Sequence, residues 1–174
     1  QTLIRAGHEV ETIDWGAPKG LHERLYRMKV QFLSTWFPEK NPIARYQPSK
    51  KELSVIWRNT NHFIDTYITH TKPVHSYREF LFCAQKGKYD AYVVGSDQCW
   101  RPCYNSFLSS MFLDFTERKN VKRLSYAASF GTDKWEFTPQ QTDVCATLLQ
   151  KFDLVTVRED SGVSLCNEHL GVMA

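Results

Sequence analysis

The sequence predicts an α/β fold, a three-layer sandwich built on a mainly parallel sheet. Three short apolar runs, at residues 91–94, 121–128 and 154–157, are bounded by charged residues or glycine. Such unbroken runs are typical of parallel strands, because these strands are covered on both faces. Helical patterns lie between and after the runs, and this alternation favours helices on both faces of the sheet.

The composition is that of one folded domain. The chain has 174 residues, of which 42% are hydrophobic and 24% are charged, as in ordinary globular proteins. With 22 Lys and Arg against 19 Asp and Glu, the formal net charge of +3 is too small to predict nucleic-acid binding. No apolar run approaches the ~20 residues of a membrane-spanning helix.

The cysteines indicate a reducing compartment. There are five of them, an odd number, at positions 83, 99, 103, 145 and 166. The first ten residues include Arg5, His8 and Glu9 and do not predict a secretory signal, so a secreted disulfide framework is disfavoured. No second Cys or His pair stands at zinc-site spacing. We expect reduced cysteines in or near the core, no metal site and a cytoplasmic location.

The first half of the chain begins with a helix-to-strand connection. Leu3 and Ile4 lie in a predicted short helix that ends at Gly7, and residues 8–14 predict a strand. A helix follows over residues 21–36, then a polar loop over 41–49 and a second helix over 50–60, while 61–74 fit either type of element. We therefore expect a helical insert at about residues 16–74.

The two ends predict a fragment. The opening helix and strand form the second half of a βαβ unit, whose first strand would precede residue 1. Residues 170–174 end a helix and begin a further predicted strand. We expect one domain over residues 1–174, with its first strand and a C-terminal domain of the parent protein lying outside this sequence.

Local signals place the elements of the second half. Ser76 and Glu79 have capping-box spacing and open a helix that we expect to end at Gly87. A short or edge strand is predicted at residues 112–115, between the runs 91–94 and 121–128. Thr138 and Pro139 open the next helix, and its predicted apolar face consists of Val144, Leu148 and Phe152. The last helix spans 161–170 and is closed by Gly171.

The loop after the first run carries groups that suit a sugar ligand. Ligands of open α/β sheets bind beyond the carboxyl ends of the strands. The candidate residues offer a close-approach glycine, a hydroxyl, a carboxylate, an amide, a flat indole and a guanidinium: Gly95, Ser96, Asp97, Gln98, Trp100 and Arg101. The alternatives are that Asp97 caps its own turn and that Trp100 belongs to the core.

The loops after the other two runs supply further candidates. Ser129 and Gly131 follow the second run and permit either a close ligand approach or tight strand–loop packing. Arg158 and Glu159 follow the third run, and the planar fork of an arginine suits a phosphate or a carboxylate. The alternative for Arg158 is an internal salt bridge to Glu159 or Asp97.

Four motifs together resemble the polysaccharide pyruvyl transferase family. They are DAYVVGSDQCW at 90–100, FLDF at 112–115, LSYAASFG at 124–131 and LVTVREDSG at 154–162. The resemblance is strong over residues 75–174, weak over 1–15 and loose over the insert. It implies a two-domain architecture like that of GT-B glycosyltransferases, with two Rossmann-like halves facing a cleft, and it identifies this chain as the N-terminal half.

The resemblance also implies a reaction. A pyruvyl group passes from phosphoenolpyruvate to two hydroxyls of a sugar or lipid-linked oligosaccharide, as in exopolysaccharide or capsule synthesis, giving a ketal and phosphate. Phosphoenolpyruvate is then a substrate, and no cofactor is implied. Arg158 and Arg101 are candidates for binding the anionic donor, and Asp97 and Glu159 for positioning or deprotonating acceptor hydroxyls. We expect the isolated chain to be inactive, because a cleft enzyme with one wall has an incomplete donor site.

Two other functions remain open. One is a GT-B glycosyltransferase that uses a nucleotide sugar, and the other is a non-catalytic carbohydrate-binding or regulatory module. No histidine falls within the four motifs, so they assign no general acid. A lipid-linked acceptor would place the protein at the inner face of the membrane.

Overall fold

The computed structural model describes residues 2–15, 28, 49–86, 89–105, 107–116 and 120–174. The chain divides into two compact units, residues 1–83 and 84–174. The predicted helix at 21–36 lies outside the described residues apart from Met28, and the predicted loop at 41–49 does so apart from Ser49. Gly87, the predicted end of the helix at 76–87, is also outside them.

The first unit begins as the sequence predicts. Helix α1 (Thr2–Arg5) is followed by Gly7 in the left-handed region at φ 88°. The predicted strand at 8–14 is reduced to isolated parallel bridges, Thr12 with His70 and Trp15 with Val74. This segment is therefore extended, but in the described residues it pairs only at these points.

Three helices follow, and two of them begin at a side-chain cap. Helix α2 (Lys50–Ile56) opens with a full capping box between Ser49 and Glu52, and α3 (Arg58–Tyr67) follows it, so the ambiguous residues 61–67 are helical. Helix α4 (Tyr77–Lys86) starts after Ser76, whose hydroxyl accepts from the Glu79 backbone N–H at 3.2 Å. The Glu79 carboxylate reaches the N–H of His75 at 2.7 Å, one residue before the predicted partner.

The second unit is built on parallel strands. Strand β1 (Ala91–Val94) pairs with β2 (Lys122–Ser125) in the register Ala91 to Lys122 and Val94 to Ser125. Residues 154–157 lie beside β2 on the side away from β1. They pair with the second run through isolated parallel bridges at Leu154 and Val157. The predicted α/β class and parallel pairing are confirmed. Burial of β1 is less complete than predicted, since Val94 is buried while Val93 is 40% exposed.

Side chains reinforce the pairing between β2 and residues 154–157. The buried Ser125 hydroxyl donates to the Thr156 carbonyl and accepts from the Thr156 N–H, both at 2.9 Å. The Thr156 hydroxyl donates to the Ser125 carbonyl at 2.9 Å and accepts from the Ala127 N–H at 3.0 Å. These bonds satisfy backbone groups that a longer ladder would otherwise pair.

An aromatic cluster forms the core beneath the loops. Trp100 stacks on Phe112 at 5.0 Å between ring centroids and contacts Phe130 at 5.5 Å. The strand predicted at 112–115 is wrong, because a 3-10 turn (Leu108–Phe112) runs into Leu113 at φ 57°. Phe112, Leu113 and Phe115 are all buried, so the apolar run reflects a turn enclosed by the core.

The last two helices follow the predicted boundaries. Helix α5 (Pro139–Leu149) has a capping box between Thr138 and Gln141, and α6 (Asp160–Leu165) continues into a π-helical turn that ends before Gly171 at φ 65°. The predicted face of α5 is wrong by one position, because Cys145 and Leu149 are the buried residues whereas Val144 is 50% exposed.

The cysteines are free thiols, as expected. Cys145 and Cys166 are buried, and burial raises the pKa of each thiol to about 12. Cys103 is exposed. In the part of the chain that the structure describes, no helix has the length and apolarity needed to cross a membrane.

We expect Ser125→Ala to lower the free energy of unfolding by about 1–3 kcal/mol, because the Thr156 N–H loses its acceptor at a buried position. Urea denaturation of both proteins measures the difference. Thr147→Ala is the matched control, since the Thr147 hydroxyl bonds only to the Asp143 carbonyl on an exposed helix face. Equal destabilisation by the two substitutions would contradict the role of Ser125.

Candidate functional site

The three predicted loops meet at one edge of the second unit, because the strands before them are parallel. Backbone bonds join the first loop to the second, from the Ser129 N–H to the Asp97 carbonyl at 3.0 Å and from the Trp100 N–H to the Ser129 carbonyl at 3.2 Å. The Arg158 N–H donates to the Ala128 carbonyl at 3.0 Å and joins the third loop to the second. The structure therefore brings the candidate residues together.

Gly95 permits the first loop to approach β2 closely. Its φ is 134°, and a Cβ built there would lie 2.0 Å from the Tyr126 carbonyl oxygen. The peptide bond between Gly95 and Ser96 is cis. Any larger residue at position 95 would push the first loop away from the backbone of Tyr126.

Ser129 is the enclosed centre of the edge. The residue has no exposed surface, and its hydroxyl donates to Glu159 Oε1 at 2.5 Å. The Ser129 hydroxyl oxygen also accepts hydrogen bonds from the Gly131 N–H at 2.9 Å and from Arg158 Nη2 at 3.1 Å. A hydroxyl has one donor and two acceptor positions, so these bonds use its full capacity. Ser129 therefore orients its neighbours, and its hydroxyl contacts protein groups.

Arg158 reaches all three loops. Nε and Nη2 lie 3.2 Å and 3.1 Å from Glu159 Oε1, while Nη1 lies 3.5 Å from the Ser96 carbonyl and 3.8 Å from Asp97 Oδ1. The side chain remains 44% exposed. The alternative interpretation, an internal salt bridge, is present between Arg158 and Glu159. The remaining nitrogen, Nη1, makes only long contacts.

Asp97 presents an exposed carboxylate next to this guanidinium. The side chain is 90% exposed. The turn at this position is made by the Asp97 carbonyl oxygen, which accepts from the N–H groups of Cys99 and Ser129 at 2.6 Å and 3.0 Å. The carboxylate is therefore available to a ligand from solvent.

Trp100 lies in the core, as its alternative interpretation proposed. It has no exposed surface, and its indole N–H donates to the Met111 carbonyl at 2.9 Å. The ring faces contact Phe112 and Phe130, so a sugar ring cannot stack on them in this structure. Tyr126, which directly follows β2, is an exposed aromatic residue at this edge, with 56% of its surface accessible.

Arg101 is paired with a residue that the sequence did not single out. Its Nε and Nη2 donate to the two carboxylate oxygens of Glu136 at 3.0 Å and 3.1 Å, and Nη1 donates to Gln98 Oε1 at 3.3 Å. The hydrogen bonds with Arg101 lower the pKa of the Glu136 carboxyl, and the bonds with Glu136 raise the pKa of Arg101. Its charge is thus already matched by a carboxylate.

Gly131 makes room for the side chain of Gln98. Its φ is 66°, and a Cβ at this position would lie 2.2 Å from Gln98 Oε1 and 2.3 Å from Cδ. Of the two interpretations of Gly131, the structure therefore supports tight packing, and the packing partner is the polar side chain of Gln98 in the first loop.

Sequence reasoning missed Glu136, Ser125 and Thr156. The last two had a local signal, since each is a hydroxyl residue inside an apolar run, and buried hydroxyls need partners. Glu136 had none, because 35 residues separate it from Arg101. Among the described residues, no group of three or more His, Cys, Asp or Glu side chains could hold a metal ion.

Comparison with known sequences adds one match. A sequence model of a family described as polysaccharide pyruvyl transferase matches residues 2–173, which includes the segment 16–74 that only loosely resembles the family by motif. No curated protein and no solved structure matches the chain significantly.

We expect the Glu136 carboxyl to titrate below its ordinary pKa and to return toward it in Arg101→Met. Because the pKa of the Glu136 carboxyl is lower in the folded state, the ion pair stabilises the fold at pH values above the ordinary pKa of this group. This stabilisation is lost as the pH falls through the lowered pKa. Carbon-13 NMR of the side-chain carboxyl measures this midpoint.

Lys122→Met is the reciprocal control for that titration. Lys122 Nζ lies 2.5 Å from Asp153 Oδ1 and lowers the pKa of that carboxyl, so its removal should move the Asp153 midpoint and leave that of Glu136 unchanged. A Glu136 midpoint that is insensitive to Arg101→Met would show that the pair does not form in solution.

Proposed function

The chain belongs to the polysaccharide pyruvyl transferase family, and from this premise we propose that its three-loop edge takes part in pyruvyl transfer from phosphoenolpyruvate to a sugar. The acceptor would be a saccharide or lipid-linked oligosaccharide on the cytoplasmic side of a membrane. Two hydroxyl oxygens form bonds to the central carbon of the donor, and the bond from that carbon to the phosphate oxygen breaks. Loss of one hydroxyl proton is matched by addition of a proton to the methylene carbon, which becomes a methyl group. The other hydroxyl proton leaves with the phosphate.

The single observation that carries the proposal is the position of Arg158. Its Nη2 and Nε are held by Ser129 and Glu159 inside the edge, while Nη1 is turned toward Asp97 with only long contacts. A guanidinium fixed on one side and open on the other can form a charge-assisted hydrogen bond with a carboxylate or phosphate without first being ordered. This arrangement supports binding of an anionic donor at Arg158.

Asp97 is the group we propose for the attacking hydroxyl. A carboxylate acts as a general base when it accepts the proton of a hydroxyl bound within hydrogen-bond distance. The Asp97 carboxylate is exposed and lies 3.8 Å from the guanidinium, so an acceptor bound to Asp97 would sit beside a donor bound to Arg158. Proximity of the two reactants supports a direct transfer.

Glu159 has a different part in this proposal. Its Oε1 receives the Ser129 hydroxyl and two nitrogens of Arg158. Since this oxygen accepts from three protein donors, we assign Glu159 to holding Arg158.

We expect Arg158→Ala, in the full-length protein that carries this chain, to weaken phosphoenolpyruvate binding by roughly tenfold or more, in line with the loss of one charge-assisted hydrogen bond. Asp97→Asn should keep donor affinity within about twofold and lower kcat by roughly 100-fold, as expected for loss of a general base. Calorimetric titration and phosphate release from phosphoenolpyruvate in the presence of acceptor measure the two effects.

Arg78→Ala is the control for loss of a positive charge, because Arg78 is an exposed residue of α4 in the other unit. The proposal fails if phosphoenolpyruvate binds equally well to wild type and Arg158→Ala. Binding of a uridine or guanosine diphosphate sugar in place of phosphoenolpyruvate would identify a glycosyltransferase instead. Saccharide binding that is unchanged in both variants would identify a non-catalytic module.

A further inference from the structure

We infer that Arg101 and Glu136 are positioning residues that fix the side-chain amide of Gln98, so that its NH2 group donates a hydrogen bond to an oxygen of the acceptor sugar. This inference rests on the proposed function and concerns how the same edge recognises its acceptor. It gives Arg101 a role other than the donor binding expected from the sequence.

The Arg101–Glu136 pair has the geometry of a rigid support. Two nearly equal contacts, Nε to Oε2 at 3.0 Å and Nη2 to Oε1 at 3.1 Å, form the parallel fork that holds a guanidinium in one plane. The two side chains are 24% and 34% exposed. The guanidinium carbon also lies 5.2 Å from the centre of the Tyr104 ring, so the arginine is held by its edge and by its face.

The third nitrogen of Arg101 determines which way the Gln98 amide points. Nη1 donates to Gln98 Oε1 at 3.3 Å. A guanidinium carries donors and no acceptor, so the amide must turn its oxygen toward Arg101 and its NH2 group away. Without Arg101 the two ends of the amide would be nearly equivalent, and the loop would present a donor or an acceptor without preference.

Gly131 and Asn105 hold the rest of Gln98. A Cβ at position 131 would overlap the carboxamide, which places that flat group directly against the glycine backbone. The Gln98 carbonyl accepts from the Arg101 N–H at 3.2 Å and from Asn105 Nδ2 at 3.4 Å. Because both the backbone and the side chain are ordered beforehand, a ligand bound here avoids the cost of immobilising a flexible glutamine.

The chemistry of the loop favours the acceptor over the donor substrate. Glu136 already matches the charge of Arg101, and the NH2 group of Gln98 is neutral, so neither is a strong site for a multiply charged anion. Asp97 is the neighbouring residue and supplies an exposed acceptor. A sugar hydroxyl donates one hydrogen bond and accepts others, so Asp97 and Gln98 together match adjacent hydroxyls of one ring.

Steady-state kinetics of Glu136→Gln and Gln98→Glu test the inference in the full-length protein. Gln98→Glu keeps the shape and still accepts from Arg101 but cannot donate. The probe reaction is phosphate release from saturating phosphoenolpyruvate with methyl glycosides of glucose, galactose and mannose. We expect both variants to raise KM for the glycoside roughly tenfold, as for loss of one hydrogen bond, with KM for phosphoenolpyruvate within about twofold of wild type.

Lys122→Gln is the matched control, because it breaks another ion pair, that of Lys122 with Asp153 at 2.5 Å, outside the three loops. It should leave both KM values unchanged. A rise in KM for phosphoenolpyruvate alone in Glu136→Gln would overturn the inference and return Arg101 to donor binding. Unchanged KM values in both test variants would overturn it as well.

A second readout separates this inference from the proposed function. If wild type releases no phosphate with any glycoside, the proposed function fails for simple glycosides as acceptors. The positioning role is then decided by the side-chain NH2 resonances of Gln98 in nitrogen-15 NMR. Glu136→Gln should shift them toward those of a free glutamine while Lys122→Gln does not, and unchanged resonances in Glu136→Gln would overturn the positioning role.

Discussion

The candidate site depends on the hydrogen bonds made by the enclosed hydroxyl of Ser129. Parallel pairing of β1, β2 and residues 154–157 brings three loops to one edge, but pairing alone does not fix their side chains. The Ser129 hydroxyl donates to Glu159 and accepts from Arg158 and Gly131, so it joins the second loop to the third. The Ser129 side chain has no exposed surface, and all of its hydrogen-bonding capacity is used by these groups, so a single small side chain orients them.

The edge then separates enclosed groups from groups that face solvent. Ser129 and Trp100 are enclosed, and they support Asp97 and Arg158, which remain exposed. The Arg101–Glu136 pair supports the first loop through the side chain of Gln98. Arg158 is thus held by the enclosed Ser129 and by Glu159, as precise positioning of a binding group requires.

The sequence predicted what local signals determine. The start of α5 follows from Thr138 and Pro139, and β1 follows from an apolar run before Gly95. It mistook residues 112–115 for a strand, since burial on all sides gives the same apolar composition to a turn. It could not pair Arg101 with Glu136, because contacts between residues far apart in sequence leave no local pattern. The candidate loops were therefore predictable, whereas their support was not.

Hydrogen–deuterium exchange of Ser129→Ala tests the central role of this hydroxyl most directly. We expect exchange to be faster by roughly tenfold or more, about 1.4 kcal/mol of local stability, at Gly131 and in the first and third loops. Ser164→Ala, on the exposed side of α6, should leave these rates unchanged. Faster exchange confined to Gly131, with both other loops as protected as in wild type, would contradict the claim that Ser129 holds the edge together.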